Sequence, residues 1–177
     1  MARIQLYLKP AKGSPRFQFL RAGGIRDSIP ALRLFAYVNL MASVQPGSRE
    51  AGEAAFPDCV IDTGSSLSVM PEYIWSHFKP GVVAPLPFDP AMPLFQRSVL
   101  FSGGRYPYEL GDLTIRLTDL TSRTMDLRVV AQLTRDGGRL TAPMVLGLRG
   151  GVIDGRILRA EPDAAAPFGQ GWLLEDP

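Results

Sequence analysis

The sequence holds one cysteine, Cys59, and one histidine, His77. A lone cysteine excludes an internal disulfide, and a chain without a disulfide framework is expected in a reducing compartment, the cytoplasm. Cys59 sits in an apolar run and reads as a small buried hydrophobe. With no second histidine and no cysteine cluster, the sequence offers no ligand set for a metal, and no cofactor is expected. Long apolar runs are also missing. The opening MARIQLYLKPAKGSP has no core long enough for a signal peptide, and no stretch reaches the ~20 residues of a membrane-spanning helix. A membrane partner is therefore not expected. Nor is there an excess of one charge: 19 basic residues face 17 acidic ones, for a net +2. The arginines are scattered, so the footprint of a nucleic-acid binder is lacking. Arginine supplies nearly all the positive charge, which points to a GC-rich bacterial genome.

What is present is a chain of 177 residues, 46% apolar and 20% charged, enough for one domain with a real core. Its 18 glycines and 16 prolines call for many turns and few long helices. The fold class expected is mostly β, in one domain over residues 1–177. The core spans about 30–160, residues 1–30 form an N-terminal extension or strand, and 161–177 form a C-terminal hairpin or tail. Alternating or apolar runs mark strands at 16–20, 32–40, 58–61, 125–133 and 142–147. Residues 44–57 read as a polar loop, and the proline-rich 80–95 as an irregular connection. Pro71 at a first helical position, with Glu72 behind it and Ile74 and Phe78 four apart, predicts a short helix over 71–78. Lys79-Pro80-Gly81 stops it. RSVLFS (97–102) and LGDLTIRL (110–117) read as two arms of a hairpin joined through 103–108, and 156–160 with 171–174 as a last hairpin.

The chemistry concentrates at residues 59–71, CVIDTGSSLSVMP. An apolar strand delivers one carboxylate, Asp62, into a turn of small hydroxylated residues before a second apolar run begins. Asp before a small residue and Gly commonly caps a turn through its own side chain. Here the turn also places hydroxyls and backbone N–H groups where they can orient the carboxylate. Downstream, the apolar run at 142–147 ends in Gly147, so a second strand of similar kind can pack beside the first.

Val60-Ile61-Asp62-Thr63-Gly64-Ser65-Ser66 resembles the active-site signature of aspartic proteases. Val145-Leu146-Gly147 is similar to the family's companion element, and the hairpin near 97–117 stands where the family carries its flap. This order covers roughly residues 58–152. The sequence contains a single Asp-Thr-Gly, so the resemblance is to the retropepsin-like type, in which two subunits build one site. It implies a retropepsin-like (acid protease) closed β-barrel with one or two short helices. It further implies a homodimer that hydrolyses a peptide or protein substrate. Asp62 is then the catalytic acid/base, paired with Asp62 of a second copy, because two close carboxylates share one proton and divide the acid and base roles. Thr63 resembles the residue whose hydroxyl reaches the other subunit. Gly64 lets backbone approach the carboxylates, and Ser65 hydrogen-bonds near them and the substrate. The flap falls on Ser102, Gly103, Gly104, Arg105 and Tyr106, and Gly147 is the packing glycine.

Two positions depart from the family pattern. Ser66 and Leu148 stand where many retroviral members carry an acid and an arginine that tie the site together. His77, beside Trp75 and Phe78, reads as a packing or surface residue; Trp75, Trp172 and the tyrosines read as core or dimer contacts, with Tyr106 and Tyr108 candidates to cover the site. A different class of function, a retropepsin-fold dimer that binds or scaffolds with little turnover, stands as the alternative; the intact Asp62 and Gly64 favour the enzyme.

Overall fold

The computed structural model describes residues 2–10, 16–40, 54–76, 83–93, 97–166 and 169–177. The fold is mostly β, with thirteen strands and one short helix among the described residues. The chain opens with β1 (Arg3–Pro10), an antiparallel hairpin of β2 (Arg16–Leu20) and β3 (Arg26–Pro30), then β4 (Leu32–Leu40) and β5 (Ala54–Ile61). After the Asp62 turn come β6 (Ser68–Met70), α1 (Glu72–Trp75) and β7 (Val83–Leu86). β8 (Ser98–Phe101) turns into β9 (Gly104–Thr118), and β10 (Thr124–Thr134) runs back along it. β11 (Met144–Leu146), β12 (Ile157–Pro162) and β13 (Gln170–Glu175) follow. Among the described residues no helix is long and apolar enough to cross a membrane.

The main sheet runs β12-β13-β1-β4-β5-β11-β6-β10-β9-β7, and β4 pairs with β9 as well. β9 is long enough to serve three strands in succession along one edge: β8 at residues 104–107, β7 at 110–113 and β4 at 115–118. Its other edge holds β10 in register from Tyr108↔Thr134 to Thr118↔Thr124. Alternation dictates the sides. Leu113, Ile115 and Leu117 of β9 and Met125, Leu127, Val129, Ala131 and Leu133 of β10 point into the core, all at most 3% exposed. On the outer face Arg116 bonds Asp126 directly opposite at 2.7 Å, and Arg128 bonds Asp112 on the diagonal. Those cross-strand pairs fix the register that the apolar face requires.

Cys59 is fully buried and its thiol donates to the Ala36 carbonyl at 3.3 Å. Trp75 is core, 1% exposed, with its indole N–H on the Thr134 carbonyl at 3.0 Å and the Arg135 guanidinium 4.5 Å over its ring. Helix α1 is tied to the β10 exit by a reciprocal pair. The Glu72 carboxylate accepts from Asp136 N at 2.8 Å and Gly137 N at 2.6 Å, while the Asp136 carboxylate accepts from Glu72 N at 3.2 Å.

Four readings of the sequence need correction. Residues 83–86 of the proline-rich connection form a strand, because β7 lies on a sheet edge, where Pro85 loses no ladder bond that the sheet needs. Residues 104–109 belong to β9 itself, so the hairpin turns at Ser102-Gly103 alone. Both turn residues have positive φ (48° and 82°), as a two-residue type I′ turn demands, and Gly103 supplies this without strain. Pro71 is the extended residue before α1 rather than its first helical residue. The far end of the expected helix, with His77 and the 79–81 stop, lies outside the described residues, as do residues 44–53 of the expected loop. The end of that loop, 54–57, is strand instead, because β5 begins at Ala54 and pairs with β4 there. The opening segment, which composition left as an extension or strand, is a strand: β1 joins β13 through residues 3–6 and β4 through residues 7–10.

Candidate active site

Strand β11 lies between β5 and β6, parallel to the first and antiparallel to the second. Val145 is thereby flanked by Val60 and Val69, and Phe35 pairs with Val60 from β4. These four side chains form a small apolar cluster on one face, and Val99 and Phe101 of β8 pack onto it from the hairpin. The neighbours Cys59, Ile61, Met144, Leu146 and Met70 face the main core. Strands covered on both faces need side chains that tolerate burial at every position. That is why CVI and MVL read as unbroken apolar runs and the one polar member of SVM, Ser68, is hydrogen-bonded.

The loop that follows β5 is latched to the loop that follows β11 by backbone bonds. Asp62 N donates to Leu146 O at 3.0 Å, Leu148 N to Ser65 O at 2.8 Å, and Arg149 N to Ser66 O at 3.0 Å. Gly147 N donates to the hydroxyl of Ser68 at 3.1 Å, and Ser68 is fully buried. At Gly147 the two loops touch: an added Cβ would lie 2.4 Å from the Leu67 carbonyl carbon and 2.9 Å from Ser65 O. Only glycine fits there. A backbone-to-backbone latch of this kind fixes the position of Asp62 without any side-chain salt bridge. At Ser66 and Leu148 themselves the tie between the two loops is made by main-chain hydrogen bonds.

Within the turn, Asp62 Oδ1 accepts from Gly64 N at 2.9 Å, and Ser65 N donates to Asp62 O at 3.2 Å. An added Cβ on Gly64 would stand 3.2 Å from Asp62 Oδ1. The Ser65 hydroxyl donates to Leu67 O at 2.7 Å, so it braces the turn and does not reach the Asp62 carboxylate. Asp62, Thr63 and Gly64 are exposed in the single chain.

Asp62 opens into a cleft of about 1060 Å³. Its floor is the Phe35, Val60, Val69 and Val145 cluster, and Val99, Leu100, Phe101 and Ser102 of the hairpin overhang it. Tyr73, Arg139 and residues 140–143 line the α1 and β11 side, and Lys9, Pro10 and Arg33 the β1–β4 side. The Tyr73 hydroxyl donates to Ala142 O at 3.1 Å, and burial pushes its phenol above the ordinary tyrosine value, so it remains a neutral donor. No group of three or more His, Cys, Asp or Glu side chains able to hold a metal ion exists among the described residues.

Asp62, Gly64, Ser65 and Ser102 thus come together around one cleft, while Gly147 packs beneath it. Gly103, Gly104, Arg105 and Tyr106 do not line it: the hairpin presents its β8 arm instead. Arg105 bonds Ser98 Oγ at 3.0 Å, and the Tyr106 ring lies over Gly104. Tyr108 is buried edge-on to Phe88, with ring centroids 5.4 Å apart, so neither tyrosine covers the site. Sequence reasoning missed Val99, Leu100 and Phe101, and also Lys9, Arg33, Ser68, Tyr73 and Arg139. Of these, only the β8 residues had a usable signal, their place just before a glycine turn.

The sequence matches no family model. No curated protein and no solved structure matches the chain.

Proposed function

We propose that the chain is one subunit of a homodimeric aspartic endopeptidase of the retropepsin-like kind. The observation that carries this reading is the placement of Asp62. A single carboxylate leaves the end of a buried strand and stands exposed at the mouth of a cleft roofed by a hairpin. Its loop is held by a strand inserted between β5 and β6. The strand pairings support the barrel as well. From β4 they pass through β5, β11, β6, β10 and β9 and return to β4.

In the proposed dimer, Asp62 of each subunit meets across a two-fold axis. The two carboxylates share one proton and titrate as a pair. The ionised member takes a proton from water, whose oxygen adds to the scissile carbonyl carbon; the protonated member donates to the carbonyl oxygen. The carboxyl that took the water proton passes it to the amide nitrogen of the resulting gem-diol, the other carboxylate takes back a gem-diol hydroxyl proton, and the C–N bond breaks to release an acid and an amine. The hairpin edge and the cleft floor hold the peptide extended, in the manner of an added strand.

The test is cleavage of a peptide mixture by the purified chain across a dilution series. Specific activity should rise with subunit concentration, and Asp62→Asn should abolish it. A strictly monomeric chain, or an Asp62→Asn chain that cuts normally, overturns the reading.

A further inference from the structure

The cleft carries three cations, Lys9, Arg33 and Arg139, against the single anion Asp62. Lys9 and Arg33 stand directly opposite each other in the β1–β4 register. Like charges opposite one another weaken an antiparallel pair, so the sheet gains nothing from this arrangement. The Lys9 ammonium lies 5.6 Å from the Phe35 ring centre and 5.4 Å from that of Tyr37, which holds its charge at the cleft wall. Arg33 and Arg139 are exposed, and neither makes an ion pair within the chain among the described residues. Arg139 comes from a different part of the chain, the β10–β11 connection, so the positive charge is assembled by the fold rather than by one segment.

We infer that this cleft selects peptides with carboxylate side chains flanking the scissile bond, an inference that rests on the peptidase reading above. A guanidinium meets a carboxylate with two parallel N–H donors, so an arginine pairs with a carboxylate side chain in a defined geometry. The acidic side chains belong beside the scissile residues rather than on them, because the Asp62 pair carries a negative charge of its own. Alternate side chains of an extended peptide recur on one face about every 7 Å, so such flanking carboxylates project toward the cleft walls while the scissile bond stays at Asp62. The same positive rim raises the encounter rate with acidic substrates at low ionic strength.

The experiment takes a peptide that the chain cleaves and prepares Glu and Gln versions at the flanking positions. The kcat/KM ratio is measured at about pH 5.5, where glutamate is ionised. The Glu peptide should be favoured about fivefold at low salt, and the preference should narrow in about 0.5 M salt. It should vanish in the full-length Lys9→Gln/Arg33→Gln/Arg139→Gln variant. Equal kcat/KM values in the wild type, or a preference that survives undiminished in the triple variant, overturn the inference. Fluorescence anisotropy of the same labelled peptides on Asp62→Asn separates the two readings. Tighter binding of the Glu peptide with no cleavage by the wild type keeps the charge inference and overturns proteolysis. Cleavage without preference does the reverse, and equal binding with no cleavage overturns both.

Discussion

Gly147 lies against the backbone of Leu67 so closely that a Cβ would fall 2.4 Å from the Leu67 carbonyl carbon. The atoms it would meet are main chain, in a loop already held by the bonds from Leu148 N and Arg149 N to Ser65 and Ser66. Neither loop can give way without breaking that latch. Gly147→Ala is therefore expected to cost about 3 kcal/mol, seen as a lower denaturation midpoint with an unchanged slope. Activity should fall further than the folded fraction does, because the displaced loop carries Asp62.

Among the described residues Asp62 makes one side-chain hydrogen bond, from Gly64 N, and it is exposed in the single chain. Asn can accept the same bond through its Oδ1. Asp62→Asn should leave the melting temperature of the chain within a few degrees of the wild type, a change below about 0.5 kcal/mol, while peptide cleavage disappears. A large loss of stability would mean that the residue holds the fold rather than the chemistry.

The β8 arm closes the cleft by packing Val99 and Phe101 onto the floor cluster. In the proposed peptidase, a substrate displaces part of that contact. Phe101→Ala should lower stability by about 1 kcal/mol, since the residue is only half-buried, and change KM more than kcat. Gly103→Ala, which puts a Cβ on a residue at φ 82°, should cost about 1 kcal/mol. Hydrogen exchange at residues 98–107 would report the loosened hairpin directly.

Low pH should unfold the chain through identifiable carboxyls. Burial opposes ionisation of Asp119, but bonds from the Thr121 hydroxyl and from the N–H groups of Arg123, Gln5 and Thr121 outweigh it and hold its carboxyl below the usual range. Burial likewise opposes ionisation of Asp136, and the bonds from Thr134 and from nearby N–H groups prevail. Asp112 and Asp126 are lowered by hydrogen bonds from Arg128 and Arg116. A carboxyl lowered in the folded state contributes stability above its unfolded value, near pH 4, and loses it as pH falls through the folded value. Melting temperature should thus be flat from neutral pH to about 5 and fall below about 4. In Asp119→Asn the fall should be shallower, starting from a chain less stable by about 1–3 kcal/mol because one backbone donor loses its acceptor.

The strands legible in the sequence were those with strict alternation or short apolar runs, such as LRLFAYVNL and MDLRVVAQL. β1 alternates as well, but its partners β13 and β4 lie far along the chain, so its own residues left it open as an extension or a strand. β7 was hidden by its prolines, because whether a proline is tolerated in a strand depends on whether that strand ends up at an edge. The length of β9 was hidden by Gly104 and Pro107, which read as turn residues until their partners in β8 are known.

The sequence by itself determined the chemistry on offer. It supplies one carboxylate after a buried strand, a turn of small residues around it, a later apolar run ending in glycine, and no second cysteine or histidine. Such features are local, and local backbone preferences and side-chain chemistry are written in adjacent residues. Tertiary structure alone decided that β11 enters between β5 and β6, that Gly147 must be glycine, and that the β8 arm roofs the cleft. It also decided that Lys9, Arg33 and Arg139 share a cleft with Asp62. Those facts depend on pairings between residues far apart in the chain, and strand pairing is set by the burial of whole faces rather than by any short stretch of sequence.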